Sequence, residues 1–277
     1  MRSSYADWSK RIATSYRSMR PNCHASKLPA VTLGFWVIKI LATTLGETGG
    51  DSVSMSMGFG YLASTILFFI AFVAAVALQI SLRRFRAPVY WLAVIASTTV
   101  GTTLADFADR SLGIGYPGGT ALLLALTLGS LFTWRRMLGS IDIESVVDAR
   151  SEAWYWVTIM FSQTLGTALG DWTADSIGLG YAGAALLFAG LLALVVVAFA
   201  FTRISRTALF WTAFVLTRPL GAVVGDFLDK PLAEGGLAMS RYTATWVLFV
   251  AIATLVLFAP QRAATRHRET PCRGEHA

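Results

Sequence analysis

The sequence predicts an all-α integral membrane protein. It would have eight transmembrane helices, built as four parallel two-helix repeats in two pseudo-symmetric halves. Three observations predict this. Apolar residues make up 55% of the 277-residue chain and charged residues 14%, against about 25% charged in ordinary soluble domains. The apolar residues fall into eight runs close to the ~20 residues that a bilayer span requires. A Trp, Gly and Asp motif recurs four times at fixed spacing.

The runs lie near residues 30–48, 61–82, 88–106, 115–134, 152–170, 180–202, 207–226 and 238–259. The second and sixth contain no charged residue, whereas the odd-numbered runs are interrupted by small and acidic residues. Cations gather between them: Arg2, Lys10, Arg11, Arg17, Arg20 and Lys27 before the first run, and Arg83, Arg84 and Arg86 after the second. Arg135, Arg136 and Arg150 follow the fourth, Arg203 and Arg206 the sixth, and Arg262, Arg266, Arg268 and Arg273 the last. An eight-span chain puts all of these on one side. The positive-inside rule makes that side the cytoplasm, with both termini in it, and the membrane a bacterial inner membrane. The net charge of +7 is then a consequence of topology and calls for no nucleic-acid partner. The expected organisation is a basic tail (1–29), a half with repeats one and two (30–134) and a cytoplasmic loop (135–151). A half with repeats three and four (152–259) and a second tail (260–277) complete it. The first 27 residues lack the short apolar core of a cleavable signal. Cys23 and Cys272 form no CxxC pair and lie in the tails with His267 and His276, so no disulfide framework or thiolate metal site is expected.

Four segments align without a gap. FWVIKILATTLGETGGDSVSMSMGFGY starts at Phe35, and YWLAVIASTTVGTTLADFADRSLGIGY at Tyr90. YWVTIMFSQTLGTALGDWTADSIGLGY starts at Tyr155, and FWTAFVLTRPLGAVVGDFLDKPLAEGG at Phe210. The columns hold Trp36, Trp91, Trp156 and Trp211, then Gly46, Gly101, Gly166 and Gly221, then Asp51, Asp106, Asp171 and Asp226. Each repeat is one odd span, a turn and one even span. Two spans return the chain to its starting side, so the repeats are parallel and related by an axis along the membrane normal. The longer step between the second and third Trp suggests two halves. These tryptophans and this tandem arrangement resemble a family of bacterial multi-spanning proteins with four two-span repeats, each with a characteristic Trp, over about residues 35–259. The family's function is uncharacterised, so the resemblance implies the architecture and no activity. The fourth repeat departs from the pattern, with Pro219 before its Gly and no closing Gly-Tyr.

The motif has a physical reading. Gly46 with Gly50, Gly166 with Gly170 and Gly221 with Gly225 are GxxxG pairs, and Gly101 with Ala105 is the near equivalent. Such strips let helix backbones approach closely in lipid. The tryptophans are read as marking the inner membrane interface. The aspartates then fall about 22 Å further along, at ~1.5 Å per residue, in the outer hydrocarbon or at its edge. Intramembrane acids point to function, because an ionised Asp at a span centre costs about 2.5–3.5 kcal/mol. Glu47, Asp109, Asp175 and Asp229 stand three or four residues from the repeat aspartates, which doubles the acid on each helix. Like charges at that spacing repel and require a cation, a proton or a base. Arg110, Lys230 and Arg241 are available bases. Lys39 and Arg218 fall inside the first and seventh spans, either as structural partners of an aspartate or as internal counter-charges.

Oxygen-rich clusters suit hard divalent cations, and no His or Cys lies in any span. The leading expectation is a secondary transporter or exporter of a small divalent cation, coupled to protons through Asp51, Asp106, Asp171 and Asp226. Its partners would be the bilayer, the cation and protons, with no bound cofactor. A passive channel and a non-transporting scaffold or sensor are the alternatives. No nucleotide loop, zinc-protease helix or nucleophile elbow occurs, so no enzyme is expected.

Overall fold

The computed structural model describes residues 26–82 and 84–264, and Cys23, Cys272, His267, His276 and most of both tails lie outside them. Among the described residues the chain is a bundle of eight long helices. They are α1 (Leu33–Asp51), α2 (Tyr61–Ser81), α3 (Ala87–Asp106), α4 (Tyr116–Leu138), α5 (Ala149–Asp171), α6 (Gly180–Phe201), α7 (Arg206–Asp229) and α8 (Arg241–Phe258). Each matches one of the expected runs. Their starts carry ordinary helix signals: Thr32 caps α1 by accepting from Phe35 N–H at 3.2 Å, and Pro88 and Pro117 sit in the first turns of α3 and α4.

Six of the eight, α2, α3, α4, α6, α7 and α8, are long and apolar enough to cross a membrane. Helices α1 and α5 have 19 and 23 residues but carry more polar groups, including Lys39 and Glu47 in α1 and Glu152 and Gln163 in α5. Those groups are buried against other helices, so a polar composition does not leave them facing lipid.

The odd helices form a closed inner ring: α1 packs on α3, α3 on α5, α5 on α7, and α7 back on α1. Each even helix lies outside, against the odd helix of the next repeat: α2 on α3, α4 on α5, α6 on α7, and α8 on α1. The chain thus closes a four-fold circle, although the longer step between the second and third Trp suggested two halves. The outer helices turn residues such as Ile70, Leu186, Val196, Val247 and Phe258 outward, giving an apolar outer surface.

Close approach explains the glycine column. A Cβ on Gly46 would stand 2.9 Å from the Thr98 backbone, on Gly101 2.9 Å from Gln163, and on Gly221 2.9 Å from Thr43; on Gly166 it would meet the Arg218 stem. Thr98, Gln163, Arg218 and Thr43 occupy one column of the repeat, so each glycine receives the equivalent residue of a neighbouring inner helix. Gly50, Gly170 and Gly225 repeat the relation one turn on, against Thr102, Ala222 and Glu47. Threonine hydroxyls close the seams by donating to neighbouring carbonyls: Thr98 to Ala42, Thr43 to Thr217 and Thr102 to Gly46, each at 3.2 Å.

At one end of the ring lies an aromatic layer with the same circular order. Phe35 meets Trp91 at 5.5 Å, Tyr90 meets Trp156 at 5.8 Å, Tyr155 meets Trp211 at 6.2 Å and Phe210 meets Trp36 at 5.8 Å between ring centroids. This corrects the interface reading of the tryptophans. Trp91, Trp156 and Trp211 are buried in the core, and Trp36 alone of the four is half-exposed. They pack the ring and do not line a membrane belt.

At the other end, α1, α3 and α5 each finish in a π-helical turn, closed by Met57 N–H to Ser52 C=O, Leu112 N–H to Phe107 C=O and Ile177 N–H to Trp172 C=O at 2.9–3.0 Å. The Gly-x-Gly pairs follow, with positive φ at both glycines of each, a conformation that side chains disfavour. The fourth repeat lacks these glycines, and there α7 runs unbroken through Pro219 to Asp229.

Candidate functional site

The repeat aspartates lie at the same end of the ring: Asp51, Asp106 and Asp171 are the last residues of α1, α3 and α5, and Asp226 lies three residues before the end of α7. Asp51, Asp106, Asp171 and Asp226 are each at most 3% exposed, which excludes a capping role scattered around the lipid edge. They are shared between two bases. Arg110 Nε lies 2.9 Å from Asp106 and its Nη2 3.5 Å from Asp171. Lys230 Nζ lies 3.1 Å from Asp226 and 3.4 Å from Asp51. Arg110 and Lys230 both stand four residues past a repeat aspartate, in repeats two and four; Met55 and Asp175 hold that position in repeats one and three. Each base therefore reaches its own aspartate and that of an adjacent repeat. The sharing joins repeats two and three around Arg110 and repeats four and one around Lys230.

Arg241 completes the second group, with Nε 3.0 Å from Asp229 and 3.7 Å from Asp51. Carboxylate oxygens of Asp51, Asp226 and Asp229 lie within 4.8 Å of one another, while Asp51 Oδ1 and Asp229 Oδ1 have no hydrogen-bond partner among the described residues. Of the other acids singled out by spacing, Glu47 pairs one layer inward with Arg218, and Asp109 and Asp175 do not join. Asp109 is buried beneath Gly119 with no ion pair among the described residues, and Asp175 is exposed. The π-helical turns carry both out of the register in which an α-helix would align them with Asp106 and Asp171.

One layer inward, Arg218 crosses the ring axis. Its Nη2 lies 3.0 Å from Glu47 Oε2, 2.6 Å from Thr102 Oγ1 and 3.4 Å from Thr98 C=O, and also reaches Thr167; its Nη1 lies 3.3 Å from Thr43 C=O. One guanidinium thus ties α7 to the other three inner helices. Both Arg218 and Glu47 are buried, so the pair escapes the screening that makes surface ion pairs weak. Neither Arg218 nor Lys39 touches a repeat aspartate: Arg218 pairs with Glu47, and Lys39 pairs with no acid among the described residues. Lys39 Nζ is fully buried, 4.2 Å from the centre of the Phe214 ring. Beyond it the aromatic layer closes the axis, where the Tyr90 and Tyr155 hydroxyls meet at 2.7 Å.

Sequence reasoning identified the acids and the internal cations but missed how the bases are divided. The signal was the column four residues past the aspartate, where a base occurs in alternate repeats.

The family described as Repeat of Unknown Function (DUF347) matches the chain four times, over residues 34–85, 89–139, 154–205 and 209–262. These segments coincide with the four helix pairs of the bundle. No curated protein and no solved structure matches the chain.

Proposed function

The chain belongs to the DUF347 repeat family, and on that premise, which supplies architecture and no activity, we propose that it is a secondary transporter or exporter of a small divalent cation, coupled to protons. All eight helices would cross a bacterial inner membrane, with both termini in the cytoplasm and the acidic layer near the outer face. The observation that carries this reading is the sharing of bases. Two buried aspartate pairs hold one base each, Asp106 and Asp171 around Arg110, and Asp226 and Asp51 around Lys230. Arg241 is the further base of the second group.

A tethered ammonium between two carboxylates occupies the position a metal cation would take. The 4.8 Å spread of the Asp51, Asp226 and Asp229 oxygens suits a hard ion that takes oxygen ligands at about 2.0–2.6 Å. Entry of the ion would displace Lys230, which provides both a site and a means of release. The Arg218–Glu47 pair and the aromatic layer fill the axis behind the acids. That favours a transporter with one closed side over a passive channel.

The test is flux in proteoliposomes with Mg2+, Ca2+ and Mn2+ under an imposed pH gradient. The native protein is compared with a folded variant carrying Asp51→Asn, Asp106→Asn, Asp171→Asn and Asp226→Asn. Flux by the native protein alone is expected. Equal absence of flux from both, beside a working control transporter, favours a non-transporting scaffold. That second reading has one observation in its favour: every repeat aspartate already has a protein base.

A further inference from the structure

Among the buried side chains of α1, Phe35, Lys39, Thr43, Glu47 and Asp51 stand four residues apart. Each step is roughly 6 Å of helix rise. Phe35 belongs to the aromatic layer, Glu47 to the central ion pair and Asp51 to the acidic layer. Lys39 falls between the two closures. In the same column of the repeat, the other inner helices place Val94, Ile159 and Phe214, all buried and apolar.

The Lys39 amine has no hydrogen-bond partner among the described residues and is fully buried. Its surroundings contain no carboxylate free to pair with it. Glu47, two turns along the same helix, is held by Arg218. From α7 come Phe214 and, one turn on, the guanidinium of Arg218. Helix α3 brings Tyr90 one turn towards the aromatic end and Asp106 far along at the acidic end. Helix α5 brings Tyr155, bonded to Tyr90. Helix α8, which also packs on α1, has one charged residue, Arg241, and it is paired at the acidic end. An ammonium here would face one phenyl ring and one like charge. A single aromatic face replaces little of the hydration that an ammonium loses, and an unpaired buried charge sheds its proton rather than bear that cost.

We infer that Lys39 carries the coupling proton of the transport cycle. The inference rests on the transporter reading above and deepens it by separating the proton site from the cation site. In the conformation described the amine is neutral. When the aromatic layer opens, water reaches Lys39, and its nitrogen lone pair takes one proton to form the ammonium. The ammonium repels Arg218 and competes for Glu47, which loosens the one side chain that ties all four inner helices together. A cation on the aspartates and a proton on Lys39 oppose each other through α1 and α7. Gain of one therefore promotes loss of the other, as an exchanger requires.

Manganese(II) in proteoliposomes tests this, with two readouts on the same vesicles: accumulation driven by a pH gradient, and exchange of labelled for unlabelled ion at equal pH. Lys39→Met fills an apolar layer with an apolar side chain and is expected to fold; Lys39→Leu and Lys39→Gln are read in the same way if it does not. The expected result is loss of gradient-driven accumulation to the level of protein-free vesicles, with exchange retained. Accumulation by Lys39→Met equal to native overturns the role of Lys39 and leaves the transporter reading standing. Absence of both exchange and accumulation in the native protein, over manganese, calcium and magnesium, overturns the transporter reading and the role of Lys39 with it.

Discussion

Arg218 on the last inner helix and Glu47 on the first meet at 3.0 Å across the seam that closes the ring. They come from opposite ends of the chain, and both are buried. Removing one partner leaves the other charged and dry. Glu47→Gln is expected to destabilise the fold by about 3–5 kcal/mol. Glu47→Gln combined with Arg218→Met should recover much of that loss, because the orphaned charge is removed as well. Chemical unfolding of the purified protein in detergent measures both.

The glycine column makes a prediction of packing. Gly101→Ala and Gly221→Ala each push a methyl group to within 2.9 Å of a facing backbone and should cost about 1–3 kcal/mol. Gly190→Ala on outer helix α6 meets nothing within 4 Å and should be neutral to within about 0.5 kcal/mol. Melting temperatures of the three variants compare the two classes of site.

Lys230 makes a prediction of binding. If it stands in for a cation, Lys230→Met should raise affinity for calcium or manganese on the order of tenfold, equivalent to about 1.4 kcal/mol. The variant should also melt higher when the ion is added, since a ligand of the folded state stabilises it. Calorimetric titration gives the first quantity and a thermal shift series the second. A variant indifferent to divalent ions would make Lys230 a structural partner.

Topology can be read by labelling. Single cysteines at Ser56, Ser111 and Ile177 should react from one side of sealed vesicles, and those at Arg84 and Thr202 from the other, in a background without Cys23 and Cys272. The two groups lie at opposite ends of the bundle, and this pattern is expected if α5 crosses the membrane despite its polar composition. If α5 does not cross, Ile177 should instead react from the side of Arg84, and Thr202 from the side of Ser56 and Ser111.

The helices were legible because a repeated register is stronger than any single hydropathy run: Trp, Gly and Asp recur without a gap in all four copies. The aspartates could be placed at one depth for the same reason. The ring was not legible, because what Gly46 or Gly101 faces depends on a neighbouring repeat and not on its own. Thr43 and Thr98 share their column with Gln163 and Arg218, whose chemistry differs so much from theirs that the column carries no obvious pattern. The tryptophans were misread because an interface belt and a core layer both use Trp. The aromatic residue that precedes each one, Phe35, Tyr90, Tyr155 or Phe210, is what distinguishes a packed layer. Asp109 and Asp175 were aligned with their neighbours on the assumption of a continuing α-helix, which the π-helical turns break.

The central claim is that aspartates from four repeats act as one cation site. It is tested most directly by divalent-cation flux through the single variants Asp51→Asn, Asp106→Asn, Asp171→Asn and Asp226→Asn, each compared with the quadruple variant. Residues that act as a unit are non-additive, so the account predicts that each single variant loses nearly as much flux as the quadruple. Flux through the quadruple variant equal to that of the native protein would contradict it.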